Sequence, residues 1–275
     1  MTAASSDPVT PRRRSRRSIA IWLLLAIFLL PAFGAAGTLA YHGGPTHWSR
    51  WDRTVESRLG DAAAHPEARI LVMTGRTRGW KGALALHSWI VFKRANDPAW
   101  HRYDVAGWGN PVRVNWWPPD LWFGEYGQVV ADIKGAQAQA LIPRIEAAIS
   151  DYRYANAGDY VMWPGPNSNT FVATVLRAVP ELGAMLPPNA VGRDFRPLPY
   201  LGLTDSGTGI EASLWGMLGV KVGWVEGIEL NVLSLVAGLD LRHPALKLPG
   251  FGRIGINPAA TAVAAVPPAH GELSR

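Results

Sequence analysis

The sequence predicts an α+β domain behind one N-terminal apolar helix. Three observations carry this. An uncharged apolar stretch, residues 19–41, follows five arginines. Short apolar runs rich in β-branched residues, separated by turn residues, crowd residues 69–135. Two stretches with apolar residues at helical spacing then follow, over 135–153 and 169–179.

The basic leader, residues 1–18, ends in "RRRSRRS" and carries Arg12, Arg13, Arg14, Arg16 and Arg17 against Asp7. That is +4 of the chain's +6, and the rest of the chain has neither a Lys/Arg stripe nor interleaved stacking aromatics. Nucleic acid is therefore not an expected partner. "IAIWLLLAIFLLPAFGAAGTLAY", residues 19–41, is long enough to cross a bilayer, which takes about 20 apolar residues. Arginines on its N-terminal side should stay cytoplasmic and place the rest of the chain on the far side. The alternative is a cleaved export signal. Gly34-Ala35-Ala36 or Thr38-Leu39-Ala40 would be its cleavage site, and "SRRSIA" loosely resembles a twin-arginine signal. The apolar stretch outlasts an ordinary signal core, which favours an anchor. There is no cysteine, so disulfides, thiolate metal sites and a cysteine nucleophile are excluded.

Residues 42–68 read as a linker with a short helix near 49–59. "RILVMTG" (69–75), "ALHSWIVFKR" (85–94) and "HRYDVAGW" (101–108) read as strands, and "NDPA" is turn chemistry that joins the last two as a hairpin. "NPVRVNWW" and "QVVADIKG" add two strands, with the Trp/Pro loop "WWPPDLWF" (116–123) between them. Pro143 either kinks the 135–153 helix or marks its first turn. From about residue 207 the chain turns rich in Gly, Val and Leu. Glu211, Lys221, Glu226 and Glu229 interrupt every run of membrane-spanning length, so this part is read as strands covering the core. Residues 257–275 have the composition of a flexible tail.

The chemistry concentrates at "WPGPNSNTFVATVLRAV" (163–179), where a Pro-Gly-Pro approach leads into a helix start holding Ser168. Two roles are open to it. Ser168 can cap the helix, as serine often does. It can also be a nucleophile, since free N–H groups at a helix start stabilise an oxyanion and an imidazole nearby can take the hydroxyl proton. His87 opens one strand and is the candidate base. The orienting group would come from the next strand, which offers His101, Tyr103 and Asp104, with Asp104 the natural partner for a histidinium. Asn167, Asn169, Trp89 and Trp163 surround these positions as candidate substrate-binding residues. The seven histidines are scattered, with no HExxH and no carboxylate cluster at ligand spacing, so neither a metal nor another cofactor is expected.

"HSWIVFK" followed about eighty residues later by "NSNTFV" resembles the circularly permuted papain-like superfamily, which includes NlpC-type peptidases and lecithin–retinol acyltransferase-like enzymes. Its members carry a histidine at the start of one strand, a polar residue on the next, and an Asn-Cys-x-x-Phe-Val helix start. His87, Asn167, Ser168, Phe171 and Val172 match those positions, with serine where the superfamily has cysteine. Through "HSW", "PGPNSNTF" and "ELNVL", residues about 66–256 also resemble an uncharacterised bacterial family of unknown function. The resemblance implies a permuted papain-like domain over 69–256, an antiparallel sheet packed on helices. Together with the basic leader and apolar span, a bacterial chain is expected at the inner membrane with the domain in the periplasm, or secreted if the signal is cleaved. The expected chemistry is hydrolysis or acyl transfer at amide or ester bonds of envelope components. The alternative is an inactive binding or scaffolding domain that recognises a peptide, glycan or lipid.

The charge asymmetry makes a direct prediction. A reporter enzyme that folds only in the periplasm, fused after Arg275, will be active, and a reporter that works only in the cytoplasm will be silent there.

Overall fold

A computed structural model describes residues 16–45 and 55–256. The basic leader up to residue 15, most of the expected 49–59 helix and the expected tail at 257–275 lie outside the described residues. The chain begins with helix α1 (Arg16–Tyr41), which runs unbroken through Pro31 and is long and apolar enough to cross a membrane. Strands β1 (Arg69–Arg76), β2 (Leu86–Lys93), β3 (His101–Val105) and β4 (Val112–Val114) follow, then the two-residue strands β5 (Leu121–Trp122) and β6 (Glu125–Tyr126), then β7 (Gln128–Lys134). Helices α2 (Gly135–Ser150) and α3 (Ser168–Ala178) come next. The chain ends in β8 (Tyr200–Leu203), β9 (Gly209–Leu214), β10 (Leu218–Gly223), β11 (Gly227–Val232), β12 (Leu235–Asp240), β13 (Ala245–Leu248) and β14 (Gly252–Gly255).

The first sheet has the order β4-β3-β2-β1-β7 and every pairing in it is antiparallel. Side chains alternate across a strand, so β1 and β2 each divide their residues between two different clusters. Ile70 and Val72 of β1 pair with Phe92 and Ile90 of β2, and all four pack into the main core with Ile142 and Ile145 of α2 and Phe171, Val172 and Val175 of α3. Leu71 and Met73 pair with Val91 and Trp89 and form a smaller cluster on the opposite face. The apolar spacing of both helices is thus the spacing of a stripe buried on one sheet face. Pro143 sits in the interior of α2, not in its first turn.

The second sheet is a seven-stranded antiparallel meander, β14-β13-β12-β11-β10-β9-β8, where the sequence suggested strands covering the core. Its inner face departs from that expectation because it is charged. Glu211, Lys221, Glu229 and Lys247 are buried, and they meet the 190–196 segment and one another through ion pairs. Lys221 Nζ lies 2.6 Å from Asp194 Oδ1, Lys247 Nζ 2.5 Å from Glu229 Oε1, and Arg196 Nη2 2.8 Å from Glu211 Oε2, while Arg193 also pairs with Glu229. Strand periodicity accounts for this. Residues 211, 221 and 229 each alternate with apolar neighbours, so three of the four charges that break a spanning run in the sequence fall on one face, while Glu226 sits in the β10–β11 turn.

A buried ion pair costs most when only one partner is removed. Lys247→Met should therefore destabilise the protein by about 3–5 kcal/mol, measured by denaturant unfolding, because it leaves Glu229 short of a cation in a desolvated site.

Candidate functional site

The start of β2 and the start of α3 are tied together by one side chain. Asn169 donates through Nδ2 to the Leu86 carbonyl at 2.8 Å and accepts at Oδ1 from the Ser88 hydroxyl at 2.8 Å. Leu86 and Ser88 flank His87. The same Nδ2 donates to the Val191 carbonyl at 2.8 Å, which also anchors the loop after α3. The Ser88 hydroxyl lies a further 3.4 Å from the Ser168 carbonyl.

The cap of α3 is Asn167, not Ser168. Asn167 Oδ1 accepts from the N–H groups of Asn169 and Thr170, and Thr170 Oγ1 accepts in return from the Asn167 N–H, which closes a capping box. Phe171 N–H bonds the Asn167 carbonyl. These bonds occupy three of the four donors that a helix start leaves over. The fourth, the N–H of Ser168, has no acceptor among the described residues, and neither the Ser168 hydroxyl nor that amide is needed to end the helix. The approach is fixed by close contact. Gly165 has φ of +135°, and a Cβ there would stand 2.7 Å from Thr170 Oγ1. A Cβ on Gly192, at φ +97°, would stand 2.3 Å from Asn167 Nδ2. Glycine is required at both positions.

Ser168 and His87 line one cavity of about 620 Å³. Its walls are largely apolar and aromatic, with Val105, Trp122, Phe123, Tyr160 and Trp163 among them, and Leu233 and Leu235 complete it from the meander. Trp163 Nε1 donates to the Leu233 carbonyl at 3.1 Å and joins the two sides. His87 is buried and stacks flat on Trp122, with ring centroids 3.6 Å apart. Its Nε2 faces Asp104 Oδ2 at 3.5 Å, the long end of hydrogen-bond range.

Asp104 is held from behind. Arg102 Nη2 donates to the same Oδ2 at 2.7 Å, while Arg102 Nη1 donates to the carbonyls of Pro118 and Leu121 at 2.6 and 2.5 Å. The guanidinium also lies 4.5 Å over the Trp89 ring. Burial pushes the Asp104 carboxyl up, but the His87 hydrogen bond and the Arg102 charge outweigh it and hold the carboxyl below the usual carboxylate range. Burial pushes the His87 imidazole down, Asp104 opposes this and Arg102 adds to it, with the net result below the ordinary histidine value. At neutral pH the pair is therefore a carboxylate beside a neutral imidazole. Since Asp104 can only accept, the imidazole proton sits on Nε2 and the lone pair on Nδ1.

The structure thus brings Ser168, His87 and Asp104 to one end of the first sheet. Other sequence-derived candidates are placed elsewhere. His101 turns to Asp97, with Nε2 2.9 Å from Oδ2, because its neighbour Arg102 takes the Asp104 face of the strand. Tyr103 stacks on Phe92 on the helix side. Trp89 is fully buried and does not line the cavity. Its Nε1 is used by the Pro119 carbonyl, so it supports Arg102 and does not meet a ligand. Asn167 and Asn169 reach the cavity wall, but their amides are spent on the cap and the clamp. Trp163 remains an exposed wall residue. Arg102 and Trp122 are absent from the sequence-based candidates. The signal for Arg102 was the i, i+2 spacing of Arg102 and Asp104, which puts both on one strand face.

Residues 67–195 match the model of a family described as "Protein of unknown function (DUF3750)". The match holds all three residues of the cluster and stops before the meander, short of the 66–256 span and the "ELNVL" segment on which the sequence resemblance also drew. No curated protein and no solved structure matches the chain.

The clamp makes a testable claim about position. Asn169→Asp presents an oxygen to two carbonyls and should destabilise the protein by on the order of 3 kcal/mol, from leaving buried polar groups unpaired. Asn167→Ala removes the cap but leaves the clamp, and should cost about 1–2 kcal/mol. Unfolding measurements on both variants check the order.

Proposed function

We propose that the domain is a serine variant of the permuted papain-like fold that cleaves or transfers acyl groups at amide or ester bonds of envelope components, at the face of the membrane remote from its basic leader. The observation that carries this is the division of labour at the start of α3. Asn167 caps the helix, so the Ser168 hydroxyl and its N–H are left over on the wall of a cavity that His87 also lines. The chain order of His87 on one strand, Asp104 on the next and Ser168 on a later helix start supports the permuted arrangement.

In this reading Ser168 Oγ attacks the substrate carbonyl while its proton passes to Nδ1 of His87. The oxyanion forms against the Ser168 N–H at the positive end of α3. The imidazolium is stabilised by Asp104, which Arg102 keeps ionised and in place. His87 then returns the proton to the leaving amine or alcohol, and the acyl group stays on Ser168. Water or an acceptor alcohol or amine releases it by the same steps in reverse, with His87 again the base. The apolar walls suit an acyl or otherwise hydrophobic substrate portion. The same cavity suits a non-catalytic binding domain, and the experiment below separates the two readings.

The wild type has no cysteine, so Ser168→Cys places a single thiol at the site. A positive helix end and a neighbouring imidazole should depress its pKa below the ~8.5 of a free thiol, and His87→Ala in that variant should raise it and slow alkylation at neutral pH. A thiol of ordinary pKa that is indifferent to His87 overturns the enzyme reading in favour of the binding domain. Phosphonylation of wild-type Ser168 by a fluorophosphonate should require neutral His87. Its rate should fall with acidification along a limb centred below the ordinary imidazole value of about 6.5, because burial depresses this histidine. Asp104→Asn removes the influence that raises the His87 pKa and leaves Arg102 uncompensated, so the limb should move further toward acid.

A further inference from the structure

The meander carries its charges inward and its apolar residues outward. Ile210, Val220, Val222, Ile228, Leu230 and Leu246, from β9, β10, β11 and β13, are each 39–63% exposed, while Glu211, Lys221, Glu229 and Lys247 of the same strands are buried behind them. A sheet in contact with water puts these two sets the other way round, since a contiguous apolar surface of this kind is unfavourable in water and buried charges need partners. Trp215 and Trp224, at the two ends of β10, are also exposed.

What covers this face is indicated by α1. The helix does not stand free of the domain. It packs against β12 and β13 of the meander and against the turn at residues 79–83. Phe28 and Ala35 are buried by that packing, although most of the helix is exposed, and a Cβ on Gly250 would stand 2.5 Å from Ala35 Cβ. Ala35 lies six residues before the helix end, about 9 Å along its axis at 1.5 Å per residue, and Phe28 lies deeper still. The contact therefore falls within the uncharged apolar segment, not beyond it. The part of the sheet that meets Ala35 sits at the depth of the headgroup and acyl boundary, where amphipathic elements bury their apolar face by about 5–10 Å. Tryptophans are enriched at that boundary.

We infer that the outer face of the β8–β14 sheet is a second membrane-contacting surface, immersed in the same leaflet that α1 enters. This rests on α1 being a membrane anchor, and the occupant of the face is the lipid bilayer. The charged inner face is then the internal seam between the meander and the 190–196 segment. Leu233 and Leu235 carry the apolar surface from the sheet to the cavity wall, so the site opens beside the lipid phase.

The full chain, reconstituted in phosphatidylethanolamine–phosphatidylglycerol vesicles, tests this with single cysteines carrying an environment-sensitive fluorophore. Labels at Val220→Cys and, separately, Leu230→Cys report the sheet. Leu24→Cys reports α1, and Ser150→Cys on the exposed end of α2 serves as the aqueous control. The expected result is blue-shifted emission at Val220 and Leu230, with loss of fluorescence to lipids brominated on their acyl chains and protection from aqueous iodide. The Ser150 label should show the reverse. If Leu24 is quenched by brominated lipid and both sheet labels are quenched by iodide, the anchor stands and the sheet proposal falls. If both sheet labels escape both quenchers and form Val220–Val220 disulfides when unlabelled, a second copy of the chain covers the face and the proposal falls. If Leu24 itself escapes the brominated lipid, the anchor is wrong and the proposal fails with it.

Discussion

The site depends on the Asn169 carboxamide. Its Nδ2 takes the Leu86 and Val191 carbonyls and its Oδ1 takes the Ser88 hydroxyl. Two stretches of chain distant in sequence, the start of β2 and the loop at Val191, are thereby pinned to the first turn of α3. The placement of His87 follows, because its two chain neighbours are the ones held. The cap follows too, since the Val191 carbonyl also accepts from Asn167. A carboxamide suits this position because it offers a donor and an acceptor from one rigid plane, and an aspartate or leucine there offers only one or neither. Buried hydrogen bonds of this kind contribute modest net stability but strong geometric definition, since any rearrangement leaves several groups unpaired at once.

A second chain of support runs along β3. The Pro118 and Leu121 carbonyls hold Arg102, Arg102 holds Asp104, and Asp104 faces His87. The tryptophan-rich loop thus has a structural reason to be rigid. It supplies the carbonyls that orient the arginine, and it supplies Trp122 as a floor for the imidazole. Desolvation by these rings depresses the histidine, and the arginine keeps the carboxylate ionised despite its burial.

Much of the first sheet and both core helices was legible in the sequence because β1 and β2 are buried on both faces and read as unbroken apolar runs, while each helix buries one stripe. Apolar runs at residues 70–73 and 89–92 and the 3.6-residue spacing at 141–149 and 171–176 report this directly. The meander was harder to read. Its alternation is regular, but the sign of its faces is inverted, and a periodicity shows that two faces differ without showing which is inside. Glu211, Lys221 and Glu229 looked like interruptions of an apolar run when they are its buried half. At the site, the spacing of the histidine, aspartate and serine was readable. The fates of His101 and Trp89 were not, because they depend on Asp97 and on the stacked Arg102, which are three-dimensional neighbours. That Asn167 and not Ser168 caps α3 could not be decided while serine and both asparagines were equally good caps by type.

The bond between Trp163 Nε1 and the Leu233 carbonyl crosses a boundary that the family match also marks. Residues 67–195 contain the serine, the histidine and the aspartate, whereas Leu233 and Leu235 belong to the following sheet. The serine, the histidine and the aspartate, and part of the cavity wall beside them, are therefore supplied by separate stretches of chain. Substitutions in the β11–β12 turn can reshape the cavity without touching the hydrogen bonds of Asn169 or Arg102. Under the function proposed above, selectivity and chemistry are in this sense independently adjustable, and a chain that kept the first part while exchanging the second would present the same constellation to a different cavity wall.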